Sequence, residues 1–119
     1  MVLYNVDFKY NNDIELIDMV LTLYAKTVYG KDLSNKETTV LRNYMLKGYS
    51  KRTKKLICTD LKIKPSNLDT LNYTLKIKGF LHPHPTNQQE KLLDAELVKL
   101  KDVFLEKGRK LFTVDFKKV

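Results

Sequence analysis

Hydrophobic residues recur along this chain at spacings that predict helices in its middle and a strand at each end. Residues 1–10 and 110–117 alternate apolar with polar side chains, the period-two pattern of a strand with one buried face. Residues 12–30 place apolar side chains at helical spacing and end at Gly30, where a helix C-cap belongs. A second apolar stripe predicts that this first helix is buried on more than one side, as a core helix or as a dimerisation helix.

Capping residues predict where the next two helices start. Ser34 and Glu37 form a capping box, in which each side chain accepts a hydrogen bond from the other residue's backbone N–H. Gly48 ends this helix, and Ser50 is placed to cap the one after it. The predicted inner face of that third helix carries Leu56, Ile57 and Leu61.

A basic turn over residues 62–64 leads to a fourth helix that begins at Pro65, since proline loses no hydrogen bond at a first helical position. Its narrow core stripe consists of Leu68, Leu71 and Leu75. At about 100° per residue, the opposite side carries Ser66, Thr70, Tyr73 and Ile77, flanked by Asp69 and Thr74. We expect that opposite side to face outward.

Positive charge is concentrated around the third and fourth helices. Residues 42–80 contain ten Lys or Arg and two acidic residues, a balance of +8 that equals the net charge of the whole chain. The candidate phosphate contacts are Lys51, Arg52, Lys54, Lys55, Lys62 and Lys64. The candidate polar contacts to bases or phosphates are Ser66, Asn67, Thr70, Tyr73 and Thr74. The fourth helix has no Arg, the commonest reader of guanine, and Asp69 would meet a phosphate with the wrong sign unless it accepts a hydrogen bond from a cytosine amine.

Two parts of this region resemble transcription regulators. Residues 33–48 resemble the opening of LuxR-type helix-turn-helix domains, with matching residue types at Leu33, Ser34, Glu37, Val40, Leu41 and Gly48. Residues 67–81 are similar to winged-helix regulators, in which a recognition helix ends in basic residues, a Gly and an apolar pair that starts the wing. The resemblance implies a helix-turn-helix core over residues 34–81 that binds double-stranded DNA, with the fourth helix toward the major groove.

The chain after residue 81 is predicted to form a loop or wing and then a helix. Prolines alternate with His82 and His84, so residues 82–87 are predicted to be an extended loop or wing tip without Lys or Arg. Residues 88–108 are predicted to be a helix with a seam close to heptad spacing, formed by Leu93, Leu97, Leu100 and Phe104. This seam either closes the core or joins a homodimer, for which the terminal strands are a second candidate contact.

Composition narrows the class of protein further. At 119 residues, 43% hydrophobic and 30% charged, the chain suits one globular domain, 1–119. Its apolar stretches are too short to span a membrane, its N-terminus is unlike a signal peptide, and its single cysteine, Cys58, suits a reducing compartment such as the cytoplasm. Cys58 is expected to be a packing residue, and His82 and His84 lack the further ligands that zinc needs. With no catalytic motif, we expect neither enzyme activity nor a cofactor or metal.

The sequence therefore predicts a mainly α-helical protein with a small β component, a (winged) helix-turn-helix core of about five helices plus N- and C-terminal strands. The expected function is DNA binding in transcription regulation or DNA handling, as a dimer. Asn- and Lys-rich usage with few glycines suits a phage or mobile-element protein in the host cytoplasm or virion. The alternative is a viral structural or assembly protein that uses the same scaffold for contacts with other proteins.

Overall fold

The structure is a computed structural model that describes residues 13–86 and 91–107, with the side chains of residues 14–86 and 91–102. Both predicted terminal strands, residues 1–10 and 110–117, lie outside the described residues. The described residues form five α-helices, a π-helical turn and a two-stranded antiparallel sheet. The predicted fold class, mainly α with a small β component, is confirmed.

The first helix, α1, spans Asp13–Tyr24 and continues into a π-helical turn, Ala25–Tyr29. Gly30 ends this turn in the left-handed conformation (φ +65°), as predicted for a C-cap. Leu21 is buried in the core, whereas Ile14 is half-exposed, as are Leu23 and Val28. α1 packs against α2. Of the second apolar stripe, Val20 packs against the core cluster while Leu23 is 42% exposed, so within the described residues that stripe is only partly buried.

The second helix, α2, spans Asn35–Lys47 and begins with the predicted capping box. Glu37 N–H donates to Ser34 Oγ at 3.2 Å, and Ser34 N–H donates to Glu37 Oε1 at 3.0 Å. Gly48 follows the helix with φ +84°, a backbone conformation that favours glycine. Local chemistry therefore sets both ends of α2 where the sequence places them.

The third and fourth helices are joined by three residues, 62–64. α3 spans Lys51–Leu61, and Ser50 caps it as predicted by accepting a hydrogen bond from a backbone N–H of its first turn. Lys62 then adopts a left-handed conformation (φ 55°), which ends α3 and redirects the chain. α4 spans Pro65–Ile77 and begins at the predicted proline.

A short β-hairpin follows α4. β1, Leu81–Pro83, pairs antiparallel with β2, Lys91–Leu93, so that Leu81 lies opposite Leu93 and Pro83 opposite Lys91. The extended loop or wing tip predicted over residues 82–87 therefore begins later, because His82 and Pro83 belong to a paired strand. A proline is tolerated here because a two-stranded sheet has only edge strands, where a missing N–H breaks no continuous ladder.

The last helix, α5, spans Ala95–Lys107 and so begins later than the predicted range of 88–108. Asp94 supplies the start: its Oδ2 accepts from Glu96 N–H at 3.2 Å, which satisfies one backbone donor of the first turn. The residues before this cap, 91–93, pair in the hairpin instead of entering the helix.

The core lies between α2, α4, α5 and the hairpin. Its buried apolar residues are Leu21, Ala25, Val40, Leu41, Tyr44, Met45, Ile57, Leu68, Leu75, Phe80, Leu81, Leu97 and Leu100. The predicted seam of the last helix thus closes the core, because Leu97 and Leu100 are buried within this chain and Leu93 packs against the same cluster. Leu97 and Leu100 are therefore not available for the predicted homodimer contact in this conformation, and the side chain of Phe104 lies outside the described side chains. None of the helices in residues 13–86 and 91–107 has the length and apolar character needed to cross a membrane.

Candidate nucleic-acid interface

The outward side of α4 is exposed along its whole length. Leu68 and Leu75 are buried, and Leu71 is partly buried, so the leucine stripe faces the core as predicted. The opposite side, which we call the α4 face, consists of Ser66, Thr70, Tyr73 and Ile77, all exposed. The neighbouring candidates Asn67 and Asp69 are also exposed, and Thr74 is partly exposed.

A buried hydrogen bond fixes the rotation of α4 about its axis. Tyr44 of α2 donates from its hydroxyl to Asn72 Oδ1 at 2.9 Å, and the two residues are 1% and 2% exposed. Burial raises the pKa of Tyr44 above its ordinary value, so its hydroxyl stays protonated and keeps donating. The two residues are 28 positions apart, and no pattern in the sequence indicates that they pair.

Two hydroxyls near the α4 face are already used. Thr70 Oγ1 donates to the Ser66 carbonyl oxygen at 3.2 Å, and Thr74 Oγ1 donates to the Thr70 carbonyl oxygen at 3.1 Å. A hydroxyl with its hydrogen committed to the backbone offers only an acceptor to a ligand. The outward side of α4 is therefore less rich in donors than its sequence indicates.

Two of the ten basic residues between positions 42 and 80 form ion pairs within the fold. Arg42 pairs with Asp18 of α1 and lies 4.0 Å from Asp60 of α3. Lys78 donates to both carboxylate oxygens of Glu37, at 2.9 and 3.0 Å. The other eight have no carboxylate partner within the described residues; they are Lys47, Lys51, Arg52, Lys54, Lys55, Lys62, Lys64 and Lys76.

Three elements bring positive charges together beside α4. The pKa of Lys91 in β2 is lowered, first by burial and then by the positive charges of Lys76 and Lys54, while Asp69 acts in the opposite direction. Lys54 Nζ also lies 4.4 Å from the centre of the Tyr49 ring. We call Lys54, Lys76 and Lys91 the lysine flank. It offsets the charge of Asp69.

Lys91 shows that the hairpin does carry a cation, which the predicted wing over residues 82–87 lacked. The predicted last helix, 88–108, includes Lys91, so that prediction does not indicate its place in the hairpin. The signal that was available is Asp94, a helix-capping residue type three positions later. A helix that starts after Asp94 leaves Lys91 outside the helix.

The remaining cations at the start of α3 lie on a different side from Lys54. An open groove of about 400 Å³, the α3 groove, is lined by Lys51, Arg52, Lys55, Leu56 and Thr59. Leu56 is 44% exposed, so its predicted place on the inner face is wrong. The buried residues of α3 are Thr53 and Ile57, which lie one helical turn apart on the same face. Leu56 lies about 100° around the helix from Ile57 and therefore points away from that face.

Asp94, which lies between β2 and α5, joins the hairpin to the π-helical turn that follows α1. Tyr29 donates from its hydroxyl to Asp94 Oδ2 at 2.5 Å, and His82 Nε2 donates to Asp94 Oδ1 at 2.6 Å. Burial acts to raise the pKa of Asp94, but the hydrogen bonds from Tyr29, His82 and the Glu96 N–H outweigh it and hold that pKa below its usual range. Within the described segments, no group of three His, Cys, Asp or Glu side chains is placed to hold a metal ion.

Comparison of this chain with protein-family models, curated proteins and solved structures finds no match. The resemblance to LuxR-type and winged-helix regulators therefore gains no support from relatives.

Proposed function

We propose that this protein binds double-stranded DNA, with α4 toward the major groove and nearby lysines on phosphates, in transcription regulation or DNA handling. The observation that carries the proposal is the α4 face, which is exposed and is held in one orientation by the Tyr44–Asn72 hydrogen bond. The major groove of B-DNA admits one α-helix presented in this way. The proposed activity is binding, without catalysis.

The order of the elements supports the same proposal. A three-residue connection between two helices, as between α3 and α4, is typical of helix-turn-helix motifs. The hairpin β1–β2 comes directly after α4, at the point where the resemblance to winged-helix regulators predicts a wing. This order makes α4 the recognition helix of the proposal.

The distribution of charge supports a polyanionic partner. The turn lysines, Lys62 and Lys64, lie exposed at the start of α4, and the lysine flank lies beside it. A duplex that meets these side chains releases its condensed counterions, so affinity should fall as salt rises. Cations that are already paired with carboxylates, such as Lys78, do not contribute to this salt dependence.

Binding to a random-sequence duplex, measured by fluorescence anisotropy over a range of salt concentrations, tests the proposal. Lys62→Ala/Lys64→Ala should reduce the slope of log K against log salt by about two units, one for each phosphate contact removed. The control is Lys99→Ala/Lys101→Ala on α5, which removes the same charge from a helix outside the proposed surface, although Lys99 is already paired with Glu96 at 3.5 Å. This variant should leave the slope unchanged. An absence of binding at low salt, or equal effects of the two variants, contradicts the proposal.

A second candidate function is a structural or assembly role, including that of a virion component, and the α3 groove favours it. Leu56 is half-exposed among Lys51, Arg52 and Lys55, and a phosphate backbone offers nothing to cover a leucine side chain. If this groove joins protein chains, Leu56→Asp should abolish self-association measured by light scattering at high protein concentration. If the protein is monomeric throughout, self-assembly through this groove is excluded.

A further inference from the structure

The α4 face presents hydrocarbon where a DNA reader usually presents hydrogen-bond donors. Tyr73 and Ile77 are 60% and 66% exposed, more than any other large hydrophobic residue described in this chain. They are four positions apart and therefore lie next to each other on one side of the helix. Tyr73 carries one hydroxyl, but the surface that the two side chains present together is mainly hydrocarbon and needs a partner of matching chemistry.

The threonine hydroxyls nearest Tyr73 and Ile77 do not compensate for this apolar character. Thr70 and Thr74 donate their hydroxyl hydrogens to backbone carbonyl oxygens of the same helix. The helix contains no Arg, and its one Lys, Lys76, belongs to the lysine flank. The bidentate contact from a cationic side chain by which guanine is most often read is therefore missing from the α4 face.

Thymine is the base that fits such a surface. Its C5-methyl group projects into the major groove, and apolar side chains contact it there, whereas the other major-groove positions offer hydrogen-bond donors and acceptors. The turn lysines and the lysine flank beside the α4 face favour a polyanion over an apolar protein surface as the occupant.

We propose that α4 selects A·T-rich duplex DNA by packing Tyr73 and Ile77 against thymine methyl groups in the major groove. The inference rests on the proposed DNA binding and adds its base preference. The lysines then supply affinity for phosphates, which carries no sequence information. Discrimination between bases comes from the removal of apolar surface from water at the α4 face.

Replacing thymine by uracil in the duplex isolates this contact, because uracil lacks the methyl group and keeps the same base pairing and backbone charge. A pool of short duplexes of random A·T sequence should bind the wild type more tightly than the same pool made with deoxyuridine. The expected ratio is about fourfold for each methyl group contacted. The slope of log K against log salt should be the same for both pools, since the phosphates are unchanged.

Variants assign the preference to residues. Tyr73→Ala/Ile77→Ala should bind both pools equally and keep the wild-type salt slope. Its stability should be close to that of the wild type because both side chains are exposed, which urea denaturation checks. The control is Leu56→Ser, which removes an exposed apolar side chain from α3 and should keep the preference for thymine.

The possible results separate this inference from the proposed function. Equal binding of the thymine and uracil pools by the wild type overturns the inference while DNA binding stands. A preference for thymine that survives in Tyr73→Ala/Ile77→Ala also overturns it, because other groups then read the base. No binding of either pool at low salt defeats the proposed function itself.

Discussion

Lys78→Met should destabilise the protein by about 2–3 kcal/mol, because the variant leaves a buried carboxylate without its cation. Lys78 Nζ donates to both oxygens of Glu37 and, at 2.9 Å, to the carbonyl oxygen of Asp32. The Glu37 side chain is only 6% exposed, whereas that of Lys78 is 26% exposed. Glu37 keeps its hydrogen bond from the Ser34 N–H, and water reaches part of the site, so the loss should stay below that of a fully buried pair.

Urea denaturation at neutral pH measures this loss as a lower midpoint at unchanged m-value. Burial acts to raise the pKa of Glu37, but hydrogen bonds from Ser34 and Lys78 outweigh it and lower that pKa. The stability that Glu37 contributes is therefore present above its unfolded pKa and is lost as pH falls through the lower folded value. The gap between wild type and Lys78→Met should narrow as pH falls below about 4.5, the ordinary value.

Lys76→Met is the matched control, since it removes the same charge two positions earlier from an exposed side chain without a described ion pair. Its stability should lie within about 0.5 kcal/mol of the wild type. In the duplex assay the order reverses: Lys76→Met should lower the salt slope by about one unit, and Lys78→Met should leave it unchanged. Two results refute the assignment of Lys78 to a structural ion pair. One is a loss of stability below about 0.5 kcal/mol for Lys78→Met, and the other is a difference in stability from the wild type that does not change with pH.

Three further predictions concern stability and are measured by urea denaturation. Tyr44→Phe should cost about 1–3 kcal/mol because it leaves the buried Asn72 oxygen without a donor, and adding Asn72→Leu should recover part of that loss. Ile57→Ala should cost about 2–5 kcal/mol while Leu56→Ala costs less than about 0.5 kcal/mol; similar losses would mean that α3 is rotated relative to the structure. Asp94→Ala should cost about 2 kcal/mol at neutral pH through loss of the helix cap and two side-chain hydrogen bonds. Because the folded pKa of Asp94 is lowered, this cost should shrink as pH falls below about 3.8.

The helix ends were predictable because short-range chemistry determines them. Ser34 and Glu37 satisfy each other's backbone donors wherever the helix packs, and Ser50 caps α3 in the same local way. Pro65 fits a first helical position without reference to the rest of the fold. The outward side of α4 followed from its leucine spacing, since three leucines at helical spacing leave one direction for the core.

The features that the sequence did not predict depend on contacts between distant residues. Leu56 and Ile57 are adjacent and both apolar, and the packing of α2 and α4 decides that Ile57 faces inward. The strands of the hairpin are three residues long, too short for a period-two pattern, and their residues pair across separations of eight to twelve positions. Lys91 joins the lysine flank only through that pairing, so sequence spacing could not place it beside Lys54 and Lys76.

The distribution of cations between surfaces yields a final prediction, the number of phosphate contacts. Five cations lie in the turn or the lysine flank: Lys54, Lys62, Lys64, Lys76 and Lys91. If these alone meet phosphates, the slope of log K against log salt should be about −4.5, since each contact contributes about −0.9. Adding the three cations of the α3 groove would steepen the slope to about −7. The shallower slope leaves the α3 groove open to a protein partner beside bound DNA, whereas the steeper slope places the groove on the duplex and removes the case for the second candidate function.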